Sequence, residues 1–267
     1  MLRDIRQRLK LPITDIATSG DLQFKYRTDI RDGLYLKAFR PDFGQWEQVS
    51  RHLFAEVSRS ARVVVDVGAY SGIYSLIALS ASDTSQVHAF EPLTNNFNRT
   101  KRNLKLNPIF DGRWQLHKCA LGSNSRLDII HFEPRGTNDT ASLKKDYRAN
   151  LTAQEQVRVT TLDDLNLEDI DLIKIDAEQH DHHVIHGAAS LIRSSQPVIF
   201  FEAQEHESLH SSRSHLAACG YWGTALIDER KHIHVAISKS KSSKMIAGHQ
   251  MIEQYCVAAA KPVFALS

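Results

Sequence analysis

Apolar positions along the chain fall into short runs separated by segments of helical spacing. Residues 62–67 form a valine-rich run, suited to a strand buried on both faces. A turn carrying Gly68 and Gly72 follows. Ile73, Leu76, Ile77 and Leu79 then recur at helical spacing. A second strand is expected over 87–90. Phe97, Thr100, Leu104 and Asn107 mark a helix that Pro108 stops. Residues 114–121 read as one third strand. Residues 127–132 and 157–160 alternate like strands, with a polar, unpatterned stretch over 133–155 between them. A fourth strand is expected at 171–176, a helix over 182–193, a fifth strand at 197–202 and a helix over 209–219 closed by Gly220. Two final strands are expected at 221–227 and 232–237. Alternating strands and helices define an α/β protein with a mostly parallel, doubly wound sheet.

The flanks are less regular. Leu2, Ile5, Leu9 and Ile13 fit a short basic amphipathic helix that caps the domain. Residues 34–39 look like a strand entered through Asp32 and Gly33. Trp46, Val49, Leu53, Phe54 and Val57 predict a helix just before the first core strand. The expected organisation is an extension over 1–60 packed on the core, a catalytic domain over 61–237, and a tail over 238–267. The tail contains a basic, low-complexity run at 238–244 and an apolar segment at 257–266.

Composition narrows the function. A 267-residue chain that is 42% hydrophobic can bury a substantial core. Its net charge of +2 makes no case for a nucleic-acid protein. The cysteines, Cys119, Cys219 and Cys256, are odd in number and widely spaced, which suits reduced thiols and a cytoplasmic location. No stretch approaches the ~20 apolar residues of a membrane helix.

The chemistry concentrates at the first turn. Asp66 precedes Gly68, and only two glycines are present, so the G-x-G-x-x-G pattern of a pyrophosphate site is absent. An acid there would repel a pyrophosphate and suits a cationic amino-acid portion, as in S-adenosylmethionine. Glu91 ends the second strand at the spacing of a ribose-binding carboxylate. Strand polarity puts Asp176 at the ligand edge of the sheet. His180, His182, His183 and His186 crowd the following segment, but the H-E-x-x-H pattern is absent and no metal is assigned.

Five motifs in order, Val65 to Gly72, Phe90-Glu91-Pro92, Ala120-Leu121-Gly122, Thr161 to Leu165 and Ile173 to Glu178, resemble the FkbM-type S-adenosylmethionine-dependent methyltransferases over about residues 61–202. Two departures stand out. That family usually has Asn where Tyr70 stands, and Glu-Gly-His-Glu where this chain reads Glu178-Gln179-His180-Asp181. The resemblance implies a Rossmann-like class I fold with an antiparallel last strand. It implies S-adenosylmethionine contacts at Asp66, Gly68, Ala69, Tyr70, Ser71, Gly72, Glu91, Pro92, Ala120 and Asp176. It further implies O-methylation of a hydroxyl on a small molecule, a sugar or secondary metabolite. Candidate catalytic residues are Asp176, Glu178, His180 and Glu202. Two alternatives stay open: an RNA or protein methyltransferase, supported by the basic segments 3–10 and 239–244, and a cofactor-binding module without turnover, suggested by Gln179 and Asp181.

Overall fold

A computed structural model describes residues 13–19, 21–28, 46–134, 140–145, 147–229 and 231–238. The elements expected around residues 2–9, 34–39, 239–244 and 257–266 lie outside these. The chain opens with an antiparallel hairpin of β1 (Ile13–Ser19) and β2 (Leu22–Thr28). Helix α1 (Gln48–Ser58) leads into β3 (Val63–Val67), α2 (Ile73–Ala81), β4 (Gln86–Phe90), α3 (Thr94–Lys105) and β5 (Trp114–His117). Then come β6 (Ala120–Leu121), β7 (Arg126–Phe132), β8 (Ala153–Thr160) and β9 (Leu172–Ile175). Helices α4 (Asp181–His186) and α5 (Ala189–Ser195), strand β10 (Val198–Glu202), helix α6 (His206–Ala218), and strands β11 (Tyr221–Asp228) and β12 (Ile233–Ser238) complete the order.

The central sheet has seven strands in the order β11-β12-β10-β9-β3-β4-β5. Strands β5, β4, β3, β9 and β10 are parallel, and β12 runs antiparallel beside β10. The apolar strands feed both faces because successive side chains point oppositely. Val64 and Phe200 join one core with Phe54, Leu76 and Ile77. Val65, Ile173 and Phe201 join a second core with Val184, Ile185 and Ile192. Phe54 and Phe200 meet edge to face at 5.5 Å. Each such side chain, fully buried, contributes about 1.5–3 kcal/mol. Strand order reverses between β3 and β9, so the carboxyl ends of these strands form the crevice where α/β sheets bind ligands.

Three expectations are corrected. The strand read over 114–121 is two strands. β5 is the sheet edge, so the chain can peel away after His117. β6 then pairs with β8 in a separate three-stranded sheet, order β6-β8-β7, beside which Lys118 and Glu155 lie 3.3 Å apart. The helix read over 182–193 breaks at Gly187, where a Cβ would sit 1.9 Å from the Gly122 carbonyl oxygen. The second segment restarts because Asp163 accepts from the backbone amides of Ser190 and Leu191 at 3.0 and 2.9 Å. Finally, Ile13 begins a strand, not the end of a helix. The alternating burial of Leu22, Phe24 and Tyr26 in its partner strand is the period-2 signal that reveals the hairpin.

The described residues of the polar stretch 133–155 carry more order than its pattern suggests. β8 begins at Ala153, and Ser142 exchanges backbone hydrogen bonds with His131.

Candidate active site

The turn after β3 is held by its neighbours. The amides of Gly68 and Ala69 both donate to the Phe90 carbonyl at 3.0 Å. Gly68 has φ +76°, and a Cβ there would lie 1.9 Å from the Asp176 carbonyl oxygen. Only glycine lets the turn after β3 and the end of β9 approach so closely. Tyr70, at φ 53°, occupies the left-handed region that asparagine tolerates better. Its amide donates to Glu91 Oε2 at 2.9 Å, and its carbonyl accepts from Thr100 Oγ1 at 2.8 Å. Glu91 Oε1 accepts from the Leu93 amide at 2.9 Å. Burial pushes Glu91 up to about 7, against the pull of these two amides. Asp66 is buried and accepts from Ser75 Oγ at 2.6 Å, and burial raises it too.

The opposite wall comes from the ends of β9 and β10. The Asp176 amide donates to the Val67 carbonyl at 3.0 Å, tying β9 to β3. Lys174, 1% exposed, donates to Asp176 Oδ2 at 3.2 Å and lies 5.0 Å above the Tyr74 ring. Burial opposes ionisation of Asp176, but the Lys174 ammonium, together with Glu202 and Lys231, outweighs burial and holds the carboxyl below its usual range. Glu178 accepts from the Tyr147 hydroxyl at 2.7 Å; burial, and then Asp176, push it up to about 8. Asp176, Glu178 and Glu202 each bring a carboxylate oxygen within 4.8 Å of the others. Asp181 is fully buried and accepts from the Ala177 and Glu202 amides at 3.2 and 2.9 Å, so it braces the turn against β10.

Between these walls lies a cavity of about 170 Å³. Asp66, Gly68, Ala69, Tyr70, Ser71, Glu91, Pro92, Ala120, Asp176, Glu178 and His180 all face it. Two expected residues do not: Gly72 caps α2 behind the turn, and Glu202 sits behind Asp176. His180 is a poor proton acceptor here. Burial, then His183 and Arg126, hold its imidazole down to about 3, and Nε2 is buried without a hydrogen-bond partner among the described residues.

Sequence reasoning missed several wall residues. Trp46 and Glu47 enter from the start of α1, Tyr74 from α2, Arg148 from the segment before β8, and Lys231 from the turn before β12. The Tyr74 hydroxyl bonds Glu47 Oε2 at 2.7 Å and Ser50 Oγ at 3.0 Å. Glu47 and Tyr74 lie outside any motif; the one available signal was the helical spacing that placed α1 directly before β3.

Both changed residues of the second departure, Gln179 and Asp181, keep the local geometry. Gln179 adopts φ 75°, the conformation a glycine would supply there, and Asp181 makes its two backbone contacts from the first turn of α4.

The sheet order, its antiparallel strand β12 and the cavity at the strand ends define a Rossmann-like class I methyltransferase fold. Residues 66–222 match the methyltransferase FkbM domain, and the chain belongs to that family. It is similar in structure to the methyltransferase FkbM from Methylobacillus flagellatus KT, with TM-score 0.51 and 19% identity. That likeness covers 67% of this chain and 44% of the other, so this chain matches under half of the larger protein. It is also similar to precorrin-6y C5,15-methyltransferase from Geobacter metallireducens GS-15, with TM-score 0.46 and 17% identity over 72% and 89% of the two chains. No curated protein matches the sequence. Among the described residues, no helix is long and apolar enough to cross a membrane.

Proposed function

We propose that this protein is an S-adenosylmethionine-dependent O-methyltransferase acting on a hydroxyl of a small molecule, a sugar or secondary metabolite, in the cytoplasm. The supporting observation is a single cavity with a ribose-type acceptor, Glu91, on one wall and the carboxylates Asp176 and Glu178 on the other. The donor set fits the cofactor. Each Glu91 oxygen accepts one backbone amide, and with the Asn96 side chain also bonded to the carboxylate one acceptor position remains for a ribose hydroxyl. Phe90, Pro92, Leu121 and Ile130 offer apolar surface for the adenine, and Asp66 and Asp176 offer negative charge for an ammonium. Bound there, S-adenosylmethionine supplies an electrophilic methyl group on a sulfonium.

The chain's own residues do the rest. The turn after β3 and Glu91 hold the cofactor portion, and the walls exclude water from the reacting atoms. Asp176, ionised beside Lys174, accepts the proton of the incoming hydroxyl. Glu178, bonded to Tyr147, sits beside it at the acceptor edge. His180 packs the same wall as a neutral imidazole.

Calorimetry with S-adenosylhomocysteine, together with release of that product across a panel of hydroxylated acceptors, tests the reading. Glu91→Ala is expected to weaken binding by about 1.5–3 kcal/mol. Asp176→Asn is expected to abolish most turnover while leaving the fold intact. A wild-type chain that prefers a nicotinamide dinucleotide overturns the assignment.

A further inference from the structure

We propose that Glu202 is a positioning residue, held as a neutral carboxylic acid that donates its proton in a hydrogen bond to ionised Asp176 from behind the cavity wall. The catalytic role of Asp176 rests on the methyltransferase reading; the protonation of Glu202 does not.

Geometry carries the assignment. Glu202 ends β10, is buried, does not face the cavity, and brings a carboxylate oxygen within 4.8 Å of one on Asp176. Asp176, Glu178 and Glu202 gather their oxygens within 4.8 Å. Asp181 from α4 and Glu47 from the start of α1 add two more buried acids to the same field. Facing these five carboxyls are three cations, Lys174 on β9, Lys231 before β12 and, beside Glu178, Arg148 before β8. Like charges this close, away from water, do not all ionise.

The remaining question is which acid holds a proton. Asp176 has the Lys174 ammonium at 3.2 Å and keeps its charge. Glu178 has the Tyr147 hydroxyl as donor, and Asp181 has two backbone amides. Glu202 Oε1 accepts from Gln204 Nε2 at 2.8 Å, and the acid has no cation of its own within ion-pair distance among the described residues. Burial, and next the Asp176 charge, push Glu202 up to about 10. A neutral Glu202 spends one lone pair of Asp176 at the back and leaves the front free for a hydroxyl proton. In turnover the acceptor O–H proton passes to Asp176 and then to water; the Glu202 proton is not consumed.

The test is carboxyl NMR of the full chain labelled with 13C-glutamate, from about pH 5 to 9. One glutamate is expected to keep the shift of a neutral acid at about pH 8.5, and its resonance is expected to vanish in Glu202→Gln. The glutamine amide still donates to Asp176, so the variant should retain folding and S-adenosylhomocysteine affinity. Linkage gives a second readout with a definite sign. A carboxyl raised in the folded state contributes stability that is present below the unfolded value and lost as pH rises through the folded value. Glu202→Gln should therefore gain melting temperature relative to wild type as the pH is raised from 5 to 9. A Glu202 resonance that titrates in the ordinary glutamate range overturns the proposal. So does a neutral-acid resonance that persists in Glu202→Gln, or one displaced by stoichiometric magnesium or manganese chloride, because a cation then takes the proton's place. Should Glu202→Gln fail to fold, the wild-type resonance must survive Glu178→Gln; its loss there overturns the assignment. Absence of S-adenosylhomocysteine binding by wild type would sink the enzyme reading and leave the NMR signature standing, so the two failures are distinguishable.

Discussion

The two walls of the cavity are built by different physics. The wall proposed to hold the cofactor, from Gly68 to Ser71 with Glu91, is mostly backbone. Its shape comes from left-handed dihedrals and from amides tied to Phe90 and Glu91. The wall proposed to face the acceptor is mostly side chain. It draws Asp176 and Lys174 from β9, Glu178 from the turn after it, Glu47 from α1, Arg148 from the segment before β8, and Lys231 from the turn before β12. A backbone wall can hold the same ligand portion across many relatives, because it depends on few side chains. A wall of buried charges is tuned by every member, so it is the part that can change acceptor without changing fold.

Three substitutions break or sharpen that contrast, in order of expected effect. Lys174→Met strips the side-chain wall of its buried ammonium and leaves Asp176 beside the other acids without its ion-pair partner. Removing one partner of a buried pair costs about 3–5 kcal/mol, readable as a shift in the denaturant midpoint. A loss below about 1 kcal/mol would mean that the pair behaves like an exposed one. Gly68→Ala attacks the backbone wall. The added Cβ meets the Asp176 carbonyl at 1.9 Å in a left-handed residue, for an expected cost of about 2–4 kcal/mol with S-adenosylhomocysteine binding lost as well. Binding unchanged by calorimetry would show that the turn is not part of the cofactor site. Gln179→Gly should stabilise the chain by about 0.5–1 kcal/mol, because relief at φ 75° exceeds the added unfolded-state entropy. A fall in melting temperature would mean that the Gln179 side chain contributes more than its backbone costs.

The strand-turn-helix at Val65 to Leu76, the second strand ending in Glu91 and the alternation that makes the sheet parallel were legible in the amino-acid sequence. Each is a local pattern in contiguous residues: a valine run, two glycines, an acid at a fixed interval. The places where reading failed depend on distant partners. Nothing inside residues 114–121 says that Ala120 pairs with Val159, and nothing inside 182–193 says that a Cβ at position 187 would meet the Gly122 carbonyl oxygen at 1.9 Å. Glu47 and Tyr74 carry no motif, yet folding puts their hydrogen bond beside Lys174. The sequence by itself determined which strands carry the acids, since strand polarity follows from the α/β order. Only the tertiary structure decided the protonation and orientation of those acids. That depends on burial and on charges brought from α1, β9, β10 and the turn before β12, which are up to 184 residues apart between Glu47 and Lys231 (231 − 47).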